Sequence, residues 1–393
     1  MIYEKTTLIF FKTLFRFYHK KIMFQTVYTT LTFVLLAGYC FLFLYFIRGF
    51  RRLQPGSCTD QPMVSVIVPA HNEEKNLPRL LHCLSNQHYP KEFTEILLVD
   101  DRSDDRTSEI MQTFVSLHPN AFTFCINDKS EKLSPKKRAI QKAIHASRGE
   151  IILTTDADAF PGPHWIAEMV RAYDKDIGMV LGYAPYCTDG HFNTLFHQIL
   201  ALDYLAMGAI AAASVGIGHP STSNGANFSY RKDVFQKVGG FGETGKWVSG
   251  DDDLFLHRVV KNSSRKIAFA VTQGSAVFND PPRNFRTFVH QRIRFASKHL
   301  AYPFKMKMIL AGVYAFNLSL VGLMISTFFS TAYLSTLLVS LSLKAALELL
   351  FLYKGQKLLE KRKLLRLYPF AIFPHIFYVV IFPLLGQWFR PRW

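Results

Sequence analysis

The chain of 393 residues is poor in charge and in cysteine. Only 19% of its residues are Asp, Glu, Lys or Arg and 49% are hydrophobic, which excludes a wholly disordered chain. The 5 cysteines are scattered and show no CxxC spacing. They therefore indicate neither a disulfide framework nor a zinc site, and we predict buried thiols in a reducing compartment. Acidic residues are scarcer than basic ones, 29 against 46, so the net charge is +17.

Long uncharged runs lie near both ends of the chain. After an N-terminal segment (1–26), residues 27–47 are almost wholly apolar, long enough to cross about 30 Å of hydrocarbon as a helix. The run is too long for a cleavable signal peptide. Basic residues at 48, 51 and 52 place the following chain in the cytoplasm. Basic residues also precede the run, but a start at Met23 would remove most of them.

The C-terminal part predicts three further membrane helices. A hairpin of 308–328 and 332–353 is followed by a basic, cytoplasmic loop at 354–366 and a proline-kinked span at 367–389. Lys344 and Glu348 on the second helix are spaced for mutual pairing. Much of the positive charge therefore lies beside membrane spans, where anionic lipid explains it better than nucleic acid does.

The segment 62–302 alternates between strand and helix patterns. Short β-branched runs predict strands at 64–69, 95–99, 121–126 and 151–155, with amphipathic helices between them. Such alternation is typical of an α/β domain with a doubly wound, mostly parallel sheet. Ligands bind such sheets at the carboxyl ends of their strands.

Those strand ends are rich in acids. PAHNEE follows the first strand, DDRSDD the second and DAD (156–158) the fourth. Carboxylates gathered at one sheet edge repel one another unless a cation or a donor-rich ligand joins them. Oxygen ligands favour Mg²⁺ or Mn²⁺ over zinc. Alone, DAD could equally cap the helix that follows it.

Four further motifs carry potential chemistry. Lys136 and Lys137 lie in the first turn of a predicted helix, where an anionic diphosphate would favour them, although two solvated lysines would also fit. NGAN (224–227) predicts a tight turn that could line a sugar site. SGDDD (249–253) presents three acids at a helix start, a platform for a general base or ordinary helix chemistry. In QRIRF (291–295) the two arginines face different sides of a helix, so we expect only one to serve a site.

In this order, the motifs resemble those of membrane-bound family 2 glycosyltransferases with a GT-A fold, over about 62–299. The resemblance implies that Pro69, His71 and Glu73 contact the nucleoside, that Asp101 faces the base, and that Lys136 lies near the diphosphate. Asp156 and Asp158 would form the DxD pair that binds donor and metal, with Asp158 the direct metal ligand.

The same resemblance implies a general base in SGDDD. Gly250 stands where relatives have Glu, which makes Asp251 the first candidate and Asp252 the second. QRIRF is similar to the QxxRW motif with Phe295 in place of Trp. By this likeness, Gln291 and Arg294 would contact the acceptor or the donor diphosphate.

The resemblance thus implies an inverting glycosyltransferase that uses a nucleotide sugar, Mg²⁺ or Mn²⁺ and a lipid-linked or polysaccharide acceptor. We expect an integral membrane protein with a cytoplasmic catalytic domain, in a bacterial inner (plasma) membrane, that binds no nucleic acid. A nucleotidyltransferase on a similar fold and a non-enzymatic membrane scaffold or transporter subunit are the alternatives.

Overall fold

The computed structural model describes residues 2–126, 133–247, 249–298 and 301–388, with side chains from residue 19 onward. The strands are β1 (Val64–Ala70), β2 (Thr94–Asp100), β3 (Ala121–Cys125), β4 (Ile151–Thr154), β5 (Ala159–Pro161), β6 (Ile177–Leu181), β7 (Phe228–Arg231), β8 (Lys266–Phe269) and β9 (Val277–Asn279). The helices are α1 (Ile2–Phe50), α2 (Leu77–Ser85), α3 (Thr107–Leu117), α4 (Pro135–Ala146), α5 (Trp165–Arg171), α6 (Leu195–Gly216), α7 (Lys232–Lys237), α8 (Asp253–Asn262), α9 (Phe285–Ala296), α10 (Phe304–Phe329), α11 (Leu334–Leu359) and α12 (Tyr368–Trp388).

One sheet organises the central part of the chain. Its strand order is β3-β2-β1-β4-β7-β6-β8, and β7 alone among these strands runs antiparallel to its neighbours. The prediction of a doubly wound, mostly parallel α/β sheet of the GT-A type is thereby confirmed. Strands β5 and β9 pair separately in a short antiparallel ribbon.

Helices cover both faces of the sheet because the strands are apolar on both sides. All residues of β1 are buried, as expected for an inner parallel strand. Val66 and Val68 pack on one side in the same core as Leu80 of α2. Ile67 points to the other side, into a core that includes Ile140 of α4.

Helix α6 joins the sheet to the helices at the chain ends, and the sequence analysis did not predict it. It contacts β8 on one side and α1, α11 and α12 on the other. A Cβ on Gly49 of α1 would lie 2.1 Å from the carbonyl oxygen of Ala213, so α1 and α6 touch backbone to backbone. The core beneath the sheet is therefore continuous with the core between the long helices.

Within the part of the chain that the structure describes, five helices are long and apolar enough to cross a membrane: His19–Phe50, Leu195–Gly216, Phe304–Phe329, Thr331–Leu359 and Leu364–Trp388. The additional candidate, α6, has 56% of its most apolar window buried inside the protein, against 17% to 33% for the other four. Its apolar face is explained by packing as well as by a membrane.

Several sequence expectations need correction. Helix α11 continues to Leu359, so the first half of the expected basic loop is helical. The prediction of buried thiols is wrong: Cys125, at the end of the edge strand β3, is exposed, and the other four cysteines are half-buried because they lie on helix surfaces (Cys40, Cys83) or in loops (Cys58, Cys187). Met1 and Phe389, the outer limits of two predicted segments, lie outside the described residues.

A buried ion pair holds three of the long helices together. Lys344 Nζ lies 2.5 Å from Glu348 Oε1 and donates to the Tyr39 hydroxyl of α1 at 3.1 Å. Tyr39 and Tyr368 both donate to the Glu348 carboxylate. Helices α1, α11 and α12 therefore share one polar cluster within an apolar bundle.

Replacing only one member of this pair should destabilise the bundle. Lys344→Met leaves the Glu348 carboxylate uncompensated, and such a loss typically costs about 3–5 kcal/mol. We expect a clearly lowered melting temperature of the detergent-solubilised protein, followed by size-exclusion chromatography after heating. The double variant Lys344→Met/Glu348→Leu should recover part of the loss, and Lys357→Met on the exposed face of α11 should cause none. A double variant no better than the single one would contradict this account.

Candidate functional site

The carboxyl ends of β1, β2 and β4 open into a cleft of about 410 Å³. Further walls come from the start of α4, the loops before β7 and α8, and one face of α9. The cleft is lined by all the site residues expected from the sequence: Pro69, His71, Glu73, Asp101, Lys136, Asp156, Asp158, Asp251, Asp252, Gln291 and Arg294. Residues far apart in the chain thus meet at the sheet edge where ligands bind in such folds.

The ends of β1 and β2 form one wall. His71 Nδ1 lies 2.8 Å from the carbonyl oxygen of Asp101. The Asp101 carboxylate is almost fully buried, and its Oδ1 accepts from the guanidinium groups of Arg102 and Arg138 at 3.0 Å and 3.1 Å. These contacts hold Asp101 at the back of the cleft.

Lys136 lies at the centre of the cleft. Its Nζ is 2.6 Å from Asp156 Oδ1 and 2.7 Å from Asp251 Oδ2. Burial disfavours the ammonium, but the two carboxylates outweigh it, so the pKa of Lys136 is raised. The lysine therefore stays charged and joins the DAD loop to the loop before α8.

The DAD loop carries excess negative charge. Asp158 is exposed and its side chain opens into the cleft, where the surrounding protein partly desolvates it. This desolvation, with the nearby carboxylates of Asp156 and Glu73, raises the pKa of Asp158 to about 7. Burial also raises the pKa of Glu73. A cation in this part of the cleft would relieve the repulsion among the three carboxylates.

The described residues, which omit 127–132, 248 and 299–300, contain no group of three His, Cys, Asp or Glu side chains arranged to hold a metal unaided. A divalent ion here would therefore take its protein ligands from Asp156 and Asp158. The other positions would fall to ligand oxygens and water, as is usual for Mg²⁺ in phosphate sites.

Three successive acids begin α8, each in a different environment. Asp251 pairs with Lys136 as described. Asp252 is the N-cap residue, and its Oδ1 accepts from the backbone N–H of Asp253 at 2.7 Å. Asp253 Oδ2 lies 2.7 Å from Lys298 Nζ and accepts from the Tyr302 hydroxyl at 2.6 Å.

These environments give the carboxylates of Asp251 and Asp252 different pKa values. Burial alone would raise the pKa of Asp251, but Lys136 reverses the effect and the pKa is lowered. Burial, opposed in part by Lys298 and reinforced by Asp253, raises the pKa of Asp252 to about 7. Asp251 is therefore ionised at neutral pH, whereas Asp252 is close to its titration midpoint.

Two glycines shape this region. Gly250 has φ +87°, and a Cβ there would lie 2.6 Å from Leu254 Cγ, so the Glu that the family resemblance implies at this position would be strained here. A Cβ on Gly225, in the NGAN turn, would lie 3.3 Å from Lys136 Nζ and 3.4 Å from Asp251 Oδ2. The absence of a side chain at Gly225 keeps the approach to Lys136 open.

Lys137 does not face the cleft, although it follows Lys136 directly. It is fully buried, and its Nζ donates to the carbonyl oxygens of Thr244, Trp247 and Ser249 at 2.8, 2.9 and 3.1 Å. Burial lowers its pKa to about 8. Of the two lysines, one therefore faces the ligand space and the other anchors the loop that leads to Asp251.

The two arginines of QRIRF separate as expected. Arg294 lines the cleft, and Gln291 Oε1 accepts from the Tyr186 hydroxyl at 3.0 Å. Arg292 points away from the cleft and pairs with Asp203 of α6.

Sequence reasoning missed several cleft residues, notably Tyr186, Tyr204, Asp280, Lys298 and Tyr302. Lys298 follows Arg294 by four residues, so helical spacing could have placed it on the same face. No local signal marks the other residues, because they reach the cleft only through the packing of α6, α9 and the β9 loop.

Comparisons with known proteins agree with this architecture. Residues 65–239 match the family model described as Glycosyl transferase family 2. The chain is 27% identical to the probable glycosyltransferase YdaM of Bacillus subtilis over 63% of this chain and 59% of YdaM. It is 38% identical to the dolichyl-phosphate β-glucosyltransferase ALG5A of Trichomonas vaginalis, over 24% of this chain and 30% of that protein. The chain thus spans less than two thirds of either relative.

A solved structure shows the same fold. The mannosyltransferase PcManGT from Pyrobaculum calidifontis, in complex with GDP-Man and Mn²⁺, superposes with a TM-score of 0.56. The two chains are 20% identical, and the likeness covers 91% of this chain and 99% of that one. The sheet topology, the family match over residues 65–239 and the relatives agree on one likeness: the central part of the chain is similar to family 2 glycosyltransferases and has a GT-A-type fold, and long apolar helices adjoin it.

Proposed function

We propose that this protein transfers a sugar from a nucleoside-diphosphate sugar to a hydroxyl acceptor at a membrane, with inversion at the anomeric carbon. The observation that supports the proposal most is the position of Lys136, between the DAD loop and the α8 acids in one cleft. A cation flanked by carboxylates on both sides can exchange them for the oxygens of a diphosphate.

The donor would lie along the strand ends. Pro69, His71 and Glu73 would line its nucleoside, and Asp101 would face the base. Lys136 and Asp156 would meet the diphosphate and ribose end.

A divalent ion, Mg²⁺ or Mn²⁺, would be held by Asp158 with Asp156, whose oxygen ligands suit either ion. When bound, it supplies positive charge that stabilises the leaving diphosphate. Mn²⁺ in the mannosyltransferase is consistent with this assignment.

Asp251 is the proposed general base. It is ionised at neutral pH and lies beside Lys136, hence beside the diphosphate that carries the reacting carbon. The acceptor oxygen would attack the anomeric carbon, the bond to the diphosphate would break on the opposite face, and the acceptor proton would pass to the Asp251 carboxylate. Asp252 is the second candidate, and its pKa of about 7 would also suit a base.

The acceptor is proposed to be lipid-linked rather than a polysaccharide. One cleft wall consists of Tyr204 and Met207 of α6, a helix apolar enough to lie in a membrane. Arg294 and Gln291 on α9 complete this wall and would contact the acceptor or the diphosphate. A dolichyl-phosphate acceptor is named for one relative. The basic residues after α1 and α11 support a cleft on the cytoplasmic side of the membrane, which we propose to be a bacterial inner (plasma) membrane.

A donor panel tests the proposal directly. Purified protein in lipid nanodiscs is incubated with UDP- and GDP-sugars, Mn²⁺ and an extract of membrane lipids. Release of nucleoside diphosphate, together with radiolabel in the lipid phase, is the expected result. Release of pyrophosphate from nucleoside triphosphates would instead identify a nucleotidyltransferase.

Asp251→Asn should separate donor binding from transfer. The amide keeps the shape of the side chain but accepts no proton, so transfer should fall by about 10²–10⁴-fold. The dissociation constant for UDP or GDP, measured by calorimetry, should change little. Turnover close to that of wild type would reject Asp251 as the base, and Asp252→Asn is the matched comparison.

The pH dependence of kcat distinguishes the same two acids. A base must be deprotonated, so its contribution is lost as pH falls through its pKa. With Asp251 as base, whose pKa is lowered, kcat at saturating donor and Mn²⁺ should stay nearly constant from pH 8 to about 6. A roughly tenfold fall per pH unit below about 7 would assign the role to Asp252.

Asp158→Ala should remove the metal dependence of nucleotide binding. In wild type, Mn²⁺ is expected to tighten UDP or GDP binding relative to EDTA, because an ion held by Asp158 with Asp156 would supply positive charge to the phosphates. This gain should vanish in Asp158→Ala and persist in the control Asp60→Ala, which alters an exposed carboxylate remote from the cleft. An equal gain in Asp158→Ala would contradict the assignment.

A further inference from the structure

Arg292 is a charged residue that the proposed chemistry does not use. It lies directly after Gln291 and two residues before Arg294, yet only 1% of its surface is exposed. A buried guanidinium is costly unless it is paired and hydrogen-bonded. Its surroundings should therefore explain why a cation is kept at this position.

Arg292 meets groups from two other helices. Its Nη2 pairs with Asp203 of α6. The guanidinium carbon also lies 5.2–5.6 Å from the centres of four aromatic rings, one on α6, two on α9 and one on α12: Tyr204, Phe288, Phe295 and Tyr378. Arginine suits such a site because its planar group can pair with a carboxylate and stack on rings at once.

The same neighbours connect Arg292 to the cleft. Tyr204, which follows Asp203, stacks on Tyr186 with ring centres 3.6 Å apart. Tyr186 in turn donates to Gln291, the residue before Arg292. Two neighbouring residues of α9 therefore contact α6, Arg292 through its ion pair and Gln291 through the stacked tyrosines.

We propose that Arg292 is a positioning residue for helix α9. Its pair with Asp203 fixes the rotation of α9 about its own axis against α6 and α12. This rotation directs Gln291 and Arg294 into the acceptor side of the cleft. This inference rests on the proposed function for its kinetic consequence. The donor side is built on the strand ends and on α4, so loosening α9 should leave it in place.

Two measurements on the full-length protein in nanodiscs test the inference. The first is hydrogen exchange of the α9 amides, monitored by mass spectrometry, which needs no knowledge of the substrates. Arg292→Gln and Asp203→Asn should speed exchange in Phe285–Ala296 by about tenfold or more while leaving Val64–Ala70 unchanged. Arg292→Lys keeps the charge but loses the planar group, and should lie between wild type and Arg292→Gln.

The second measurement is the ratio of two rates in one sample: sugar transfer to the lipid extract, and slow hydrolysis of the donor without acceptor. A displaced α9 should lower transfer by about 10–100-fold while hydrolysis and UDP or GDP affinity stay within about twofold of wild type. The ratio does not depend on the fraction of folded protein. Arg286→Gln, an exposed arginine on the same helix, is the control and should change neither measurement.

The results distinguish failure of the inference about Arg292 from failure of the proposed function. Unchanged exchange in α9 overturns the inference whether or not any donor is turned over, and so does a parallel fall of transfer and hydrolysis. Wild-type protein that acts on no nucleotide sugar would refute the proposed function alone, because the exchange measurement would still decide the role of Arg292.

Discussion

The architecture of the cleft depends on one shared cation. Lys136 neutralises Asp156, which follows a strand of the sheet, and Asp251, which belongs to the loop before α8. Without it, carboxylates from the strand ends and from α8 would face one another across a largely desolvated space. The adjacent Lys137 anchors the second of these loops from behind, through three carbonyl oxygens. Two consecutive lysines therefore determine the position of one wall, one through charge and one through hydrogen bonds.

Neighbouring acids acquire different properties from this arrangement. Asp251 gains a cation and is held ionised, whereas Asp252, one residue later, is buried with weaker compensation and has a pKa of about 7. The three consecutive acids at the start of α8 thus differ in environment. Asp251 pairs with Lys136, Asp252 has a pKa of about 7, and Asp253 is held by Lys298 and Tyr302. Such separation of pKa values allows adjacent carboxyls to take different roles in one site.

Packing against the long helices adds a second constraint. Helix α6 lies between the sheet and the bundle formed by α1, α11 and α12, and it also provides Tyr204 and Met207 to the cleft wall. Any movement of the bundle relative to the sheet would therefore displace the residues of α6 that line the cleft. The buried pairs Arg292–Asp203 and Lys344–Glu348 restrain such movement, since separating either one would leave charge in an apolar environment.

Much of the site could be predicted from the sequence, because its motifs are local. Strand patterns followed by acids, and a lysine in the first turn of a helix, are readable within a few residues of chain, and parallel strand ends necessarily share one edge. The expected residues accordingly line one cleft. The unexpected helix α6 was not readable in this way, since an apolar helix in a core and one in a membrane have similar composition.

What only the tertiary structure decided is the partner of each charge. The residue pattern alone placed Lys136 and Lys137 in equivalent positions and Arg292 and Arg294 on different helix faces, and only the family resemblance singled out Lys136 and Arg294. Folding turned Lys136 and Arg294 to the cleft and buried Lys137 and Arg292 among carbonyls, a carboxylate and aromatic rings. The physical reason is that a charge is stabilised by groups within a few ångströms in space. The paired groups lie 89 residues apart along the chain for Asp203–Arg292 and 115 residues apart for Lys136–Asp251, distances that no local pattern encodes.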